Sequence, residues 1–147
     1  IGMSVIMFVT WWLARGELDS ELIRGYVEPF GLLNPWLYFA VFCYWVFFNS
    51  VMEEYLFRWF IFEKLETFVD GKIAVILAAR VFTTHHTLGM WSMFPGWAII
   101  LGSLGVFSGG VIWSWLYLRY RSIWPCYVSH AIVDVTMFGI GAYILFS

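Results

Sequence analysis

The chain has 147 residues, of which 62% are hydrophobic and only 12% are charged. A soluble domain carries about 25% charged residues, so this composition excludes an ordinary soluble protein and predicts an integral, multi-pass membrane protein. The formal net charge is −2 and no basic block occurs, which argues against nucleic acid as a partner. The lipid bilayer is therefore the first partner to expect.

Five apolar stretches predict an all-α, polytopic bundle of about five transmembrane helices. The first stretch, 1–14, lacks the features of a signal peptide and is interpreted as the end of a truncated membrane helix. The most polar stretch, 15–34, predicts a surface loop with a short interfacial helix. The other predicted spans are 35–62, 73–86 or slightly beyond, 97–117 and 123–146. We expect one transmembrane helical domain over 1–147.

The connections between these spans predict the orientation. We expect a charged turn at 63–72, an uncharged aromatic loop at 89–96 and a tight turn at 119–121. The Lys and Arg residues of the connections divide into two on one side, Arg15 and Arg24, and four on the other, Lys64, Lys72, Arg119 and Arg121. This bias predicts that the second side is cytoplasmic.

Three charged residues, Glu53, Glu54 and Arg58, interrupt the long second span. An ionisable group near the bilayer centre costs roughly 2.5 kcal/mol or more, so such a group is usually functional. Glu54 and Arg58 are four residues apart, which predicts a mutual ion pair. Glu53 points about 100° away from Glu54 around the helix, and we expect it to face another partner.

We expect Glu53 to face histidines, because all three histidines of the chain lie in predicted membrane spans. His86 shares a helix face with Phe82, and His130 shares one with Asp134. Counted from the predicted cytoplasmic ends, Glu53, His86 and His130 lie roughly 12–20 Å deep. The simpler interpretation makes the histidines packing or hydrogen-bonding residues. The sharper hypothesis is an intramembrane polar cavity that opens towards the cytoplasm.

One carboxylate and two imidazoles can activate water in two ways. The carboxylate and one imidazole can act as general base while the other imidazole stabilises an oxyanion. Alternatively, Glu53, His86 and His130 can hold a zinc ion with an open water position. The chain has no HExxH motif, so the common zinc-peptidase helix is absent. The spacing leaves both chemistries open.

Three motifs occur in a fixed order along the chain. They are Glu53-Glu54-x-x-x-Arg58, Phe82-x-x-x-His86 and His130-x-x-x-Asp134. Together they resemble the CPBP family of intramembrane proteases, which includes the type II CAAX prenyl endopeptidases and the bacteriocin-processing and self-immunity proteins. The resemblance covers about 35–147 and implies hydrolysis of a peptide bond in a membrane-associated protein or peptide.

The resemblance also implies residue roles. Glu53 would activate the hydrolytic water with help from His86, while His130 and Asp134 would bind the oxyanion. The family has Asn or Asp at the last position, and an ionised Asp134 would repel an oxyanion. It is therefore expected to be protonated, to orient His130 or to contact a metal.

Three further residues, Glu54, Arg58 and Phe82, would support the site, whereas His85 does not match the family histidine. Family members have been described as metalloproteases and as metal-independent glutamic proteases. We expect the glutamic type with no cofactor, and zinc is the alternative.

Two other functions compete with a protease. A non-catalytic membrane scaffold or immunity-type member of the same family would keep the motifs for structure. A proton- or metal-coupled transporter would also place carboxylates and histidines in the membrane. The sequence shows no internal repeat or paired broken helices, which argues against a transporter. It predicts no particular oligomeric state and no particular substrate.

Overall fold

The computed structural model describes residues 2–16, 19–91 and 96–147, and this part of the chain contains helices and no strand. A short 3₁₀ turn, Glu28–Phe30, precedes the long helices. The α-helices in chain order are α1 (Gly2–Ala14), α2 (Ser20–Val27), α3 (Pro35–Glu66), α4 (Gly71–Trp91), α5 (Gly96–Tyr120) and α6 (Trp124–Phe146).

Four of these helices, α3 to α6, are long and apolar enough to cross a membrane. A fifth apolar helix, Gly2–Leu13, is shorter. The predicted all-α, polytopic membrane architecture is therefore confirmed. The interpretation of 1–14 as part of a longer span, and that of 1–147 as one domain, stay predictions.

Helix α3 begins where its sequence requires and ends later than predicted. The Asn34 side chain caps the amides of Trp36 and Leu37, and Pro35 occupies the first turn, where its missing N–H costs nothing. The predicted end at residue 62 is wrong, because the helix continues to Glu66. The charge of Glu63 led to the prediction of a surface turn. Its carboxylate instead accepts a hydrogen bond from the hydroxyl of Tyr117, and the helix continues past it.

Two stretches of α3, Trp45–Asn49 and Tyr55–Phe62, have the wider π-helical turn. They flank a short α-helical piece, Ser50–Glu54, that carries both glutamates of the first motif. π-Helical turns are rare and often lie at functional sites. The wide turns therefore bracket the stretch of α3 that carries candidate site residues.

Helices α4 and α5 are also longer than predicted. Helix α4 begins at Gly71, where Asp70 accepts from the amide of Lys72, and it continues to Trp91. The predicted loop at 89–96 is therefore wrong for its first three residues and for Gly96, which begins α5, and the remaining four lie outside the described residues. The predicted turn at 119–121 reduces to Arg121, whose φ of 51° lies in the left-handed region.

The chain divides into two compact units. The first comprises Ile1–Ser50 and Ala131–Ser147. In it, the hydroxyl of Tyr38 donates to the carbonyl of Phe138 at 2.7 Å. Arg24 donates to the carbonyl of Leu145 at 2.9 Å, which attaches the polar segment to α6.

The second unit comprises Val51–His130. Helices α4 and α5 approach closely in it, since a Cβ added at Gly110 would lie 3.2 Å from the Cα of Ala79. Small residues permit this approach of two membrane helices. The core of the unit combines aromatic side chains with small ones. They are Phe57, Phe62, Phe82, Trp113 and Tyr117, together with Ala74, Val75, Ala78, Ala79 and Cys126.

Candidate active site

A buried ion pair lies within α3, as the spacing predicts. Nε of Arg58 donates to Oε2 of Glu54 at 2.9 Å, and both side chains are 0% exposed. The guanidinium carbon of Arg58 also lies 4.8 Å from the ring centre of Phe82 and 5.8 Å from that of Trp113. Removing one member of a buried pair costs about 3–5 kcal/mol, because the other charge remains uncompensated. The pair therefore fixes the position of Glu54.

Glu54 has a second partner, His130, that the spacing along the chain does not predict. Oε1 of Glu54 lies 2.8 Å from Nδ1 of His130. Because a carboxylate paired with Arg58 is an acceptor, Nδ1 carries the hydrogen, and Nε2 of the neutral ring keeps its lone pair. The imidazole also stacks on Trp113, with ring centres 4.1 Å apart and an angle of 18° between the planes. Glu54 and Trp113 thus hold one tautomer in one orientation.

His86 is held in the same tautomer by its own helix. Its Nδ1 lies 3.0 Å from the carbonyl oxygen of Phe82, one turn earlier. A carbonyl oxygen only accepts, so Nδ1 donates and Nε2 of the neutral ring is again without a hydrogen. Phe82 therefore acts twice, because its carbonyl orients His86 and its buried ring lies against Arg58.

The carboxylate of Glu53 lies next to Nε2 of both rings. Its Oε2 is 3.7 Å from Nε2 of His86 and 3.8 Å from Nε2 of His130. These distances exceed a direct hydrogen bond. Glu53 is 13% exposed and His86 28% exposed, so the described part of the chain does not fully enclose this cluster. The structure thus brings together the predicted Glu53, His86 and His130.

Asp134 belongs to the first unit, and there it lies beside Ser50. Its Oδ2 is 2.5 Å from the Ser50 hydroxyl, which also lies 2.8 Å from the carbonyl oxygen of Trp45. Both Asp134 and Ser50 are buried. The part of Asp134 in oxyanion binding stays a prediction.

Sequence reasoning overlooked Trp113 and Ser50. Trp113 is one of ten tryptophans in an apolar chain, so its type alone does not separate it from lipid-facing aromatics. Ser50 lies one helical turn before Glu54, and this spacing is the feature of the sequence that could have indicated it. His85, which the motifs leave out, is exposed, and its ring lies edge-on against that of His86 with the centres 5.2 Å apart.

Glu53, His86 and His130 are spaced more widely than the ligands of a tetrahedral zinc site. Zinc ligands in a tetrahedral site lie about 2.0–2.1 Å from the metal and hence about 3.3 Å from one another. The distances of 3.7 and 3.8 Å from Glu53 to the two histidines are wider. No set of three or more His, Cys, Asp or Glu side chains within the described ranges is arranged to hold a metal ion. The outward hydrogen bonds of the two rings are of the kind that metal-binding histidines make, so zinc remains the alternative to test.

The comparison with known families adds one finding. A model of the family described as type II CAAX prenyl endopeptidase Rce1-like matches residues 34–136, which is more than half of the chain. The matched stretch contains all three motifs. No curated protein and no solved structure matches the chain.

Proposed function

We propose that this chain, which belongs to the type II CAAX prenyl endopeptidase Rce1-like family, hydrolyses a peptide bond of a membrane-associated protein or peptide by means of a glutamate-activated water. The family is one of proteases, and the four long apolar helices make the chain an integral membrane protein. The observation that supports the finer proposal is the approach of Glu53 Oε2 to Nε2 of His86 and of His130.

In the first step, a water molecule lies between Glu53 and His86. Nε2 of His86 accepts one hydrogen bond from this water, which directs an oxygen lone pair towards the substrate carbonyl. Glu53 takes the other proton as general base while the oxygen bonds to the carbonyl carbon. The result is a tetrahedral intermediate with its negative charge on the former carbonyl oxygen.

His130 then stabilises that oxyanion. Nε2 of His130 takes up a proton from bulk water before the attack, so the ring is positively charged. It keeps that proton through the cycle and donates to the oxyanion from Nε2 and to Glu54 from Nδ1. Glu54 compensates the positive ring, and Arg58 holds Glu54 in place. Such donors act strongly in a site of low dielectric because they are oriented before the charge develops.

The intermediate collapses when its carbon–nitrogen bond breaks. The proton that Glu53 took from water goes to the departing amine, and the carboxyl product carries the water oxygen. One water is consumed and Glu53 returns to its ionised form. No metal takes part in these steps, and we propose that the enzyme needs no cofactor.

We further propose that the site opens to the cytoplasmic side, which is the side of Lys64, Lys72, Arg119 and Arg121, at or next to the ends of α3, α4 and α5. The family description makes a prenylated carboxyl-terminal peptide the first substrate class to examine. The probe is a farnesylated CAAX reporter peptide, with the unprenylated peptide and a membrane-anchored peptide of unrelated sequence beside it.

The test replaces Glu53 and His130 separately by Ala and follows cleavage of the peptide that the wild-type protein processes. Each variant should insert into membranes at the wild-type level and lose cleavage. Full activity in either variant would refute the proposed roles. A wild-type protein that cleaves no membrane peptide and instead binds one stably would favour a scaffold.

A further inference from the structure

Ser129 lies on α6 immediately before His130, and the proposed mechanism gives it no part. Its Oγ accepts a hydrogen bond of 3.2 Å from Nε1 of Trp113, on α5. Trp113 is only 3% exposed, and an indole has this single polar group, which can only donate. The N–H of a buried indole usually has a hydrogen-bond partner. Among the described residues, the hydroxyl of Ser129 is that partner.

The indole ring of Trp113 has three neighbours in the candidate site. It stacks on His130, with ring centres 4.1 Å apart and an angle of 18° between the planes. The ring of Phe82 meets it edge-on, with centres 5.8 Å apart. The guanidinium carbon of Arg58 lies 5.8 Å from its ring centre. A change in the direction of the indole would therefore change the surroundings of His130 as well.

The stacked indole restricts a movement of His130 that a single hydrogen bond does not. The contact of 2.8 Å with Oε1 of Glu54 fixes the position of Nδ1, but a ring held at one atom can still tilt about the line that joins the two atoms. Such a tilt displaces Nε2, the atom that donates to the oxyanion in the proposed mechanism. A nearly parallel ring against one face opposes the tilt. The direction of Nε2 thus depends on Trp113 as well as on Glu54.

Removal of the Ser129 hydroxyl would leave a buried donor without its acceptor. An unsatisfied buried donor is costly, so the indole would turn towards another acceptor and leave the stack. A phenyl ring at position 113 has no donor to satisfy, and it can stay on His130 without Ser129. The hydroxyl therefore matters only while residue 113 is a tryptophan.

We propose that Ser129 is a positioning residue. By accepting from the indole of Trp113, it keeps that ring stacked on His130 and keeps Nε2 of His130 directed towards Glu53. The effect on cleavage rests on the proposed peptidase function. The effect on the histidine ring can be measured without any substrate.

The test compares Ser129→Thr with Ser129→Val, which have the same shape and differ in the hydroxyl. Both are made in the wild-type chain and in the Trp113→Phe variant. In the wild-type chain, Ser129→Val should lower kcat about two- to twelvefold with KM unchanged, the effect of one lost hydrogen bond. Ser129→Thr should recover most of that rate. In the Trp113→Phe variant, the Thr and Val substitutions should give equal rates.

NMR of histidine-labelled full chain in detergent provides the readout that needs no cleavage. The chain has three histidines, and the side-chain signal of His130 is identified by its loss in His130→Ala. This signal should move in Ser129→Val and stay near its wild-type position in Ser129→Thr. In the Trp113→Phe variant, it should be the same with Thr and with Val at position 129.

Two results would overturn the proposal. One is an unmoved His130 signal in Ser129→Val. The other is a difference between Thr and Val that persists with phenylalanine at position 113, because a packing role of residue 129 would not require the indole N–H. A wild-type protein that cleaves no peptide would refute the peptidase, and the NMR comparison would still decide the part of Ser129.

Discussion

Glu54 and His130 lie 2.8 Å apart, carboxylate oxygen Oε1 to ring nitrogen Nδ1, although 76 residues separate them. The same carboxylate binds Arg58 through its other oxygen, Oε2. A group first interpreted as half of an ion pair therefore also sets the tautomer of a candidate catalytic histidine. In the proposed mechanism the buried charges of α3 thus both stabilise the helix packing and orient His130.

The first prediction concerns the stability of this arrangement. Glu54→Gln should lower the free energy of unfolding by about 3–5 kcal/mol, because the buried Arg58 loses its counter-charge. The matched control is Glu66→Gln, which weakens the more exposed pair with Arg121 and should cost at most about 1 kcal/mol. Denaturant unfolding in detergent measures both. Equal losses in the two variants would contradict the central part assigned to Glu54.

The stacking of Trp113 on His130 leads to a second prediction. An aromatic pair contributes about 0.5–1.5 kcal/mol beyond its buried area. Trp113→Leu should therefore slow peptide cleavage roughly two- to twelvefold, and Trp113→Phe, which retains a ring, should recover most of the rate. Turnover at saturating substrate is the measurement, because a loss confined to substrate affinity would not reflect the orientation of His130. Equal rates in the Leu and Phe variants would contradict a positioning role.

Asp134 provides a third prediction. An amide oxygen can still accept from the Ser50 hydroxyl, so Asp134→Asn should keep most of the cleavage activity. Asp134→Ala removes this hydrogen bond while the Ser50 hydroxyl keeps the carbonyl of Trp45, and it should lose both activity and about 0.5–1.5 kcal/mol of stability. Cleavage and thermal unfolding are measured together. An inactive Asn variant that folds normally would show that the acidic group itself is required.

Metal removal separates the two chemistries that the site residues permit. Purified protein treated with a zinc chelator should keep its cleavage rate, and elemental analysis should find less zinc than protein. Cobalt or zinc added afterwards should not raise the rate. Loss of activity on chelation, with recovery on adding zinc, would establish Glu53, His86 and His130 as metal ligands instead.

Much of this fold could be predicted from the sequence, because a membrane span is recognisable as a long uninterrupted apolar stretch. The positions at which the helices end, next to charged residues, were predicted less accurately. Glu63 and Glu66 predicted a surface turn, yet Tyr117 and Arg121 pair with them and the helix continues. The local pattern of charged and apolar residues cannot predict a contact with a residue more than fifty positions away. The π-helical turns of α3 likewise have no signal in residue type or period.

The candidate site, too, could be predicted from the sequence only in part. The Glu54–Arg58 pair follows from helical spacing, and the three motifs in order indicated Glu53, His86 and His130. The bond from Glu54 to His130, the stacked Trp113 and the carbonyl of Phe82 depend on tertiary packing, which spacing along one helix cannot show.

The most direct test of the account is single-turnover cleavage by Glu53→Gln of the peptide that the wild-type protein processes. Gln keeps the size of the side chain and cannot take a proton from water. General-base catalysis contributes about 10²–10⁴-fold, so cleavage should slow at least a hundredfold, while Glu66→Gln on the same helix cleaves at the wild-type rate. A Glu53→Gln protein that cleaves within a few-fold of wild type would contradict water activation by Glu53.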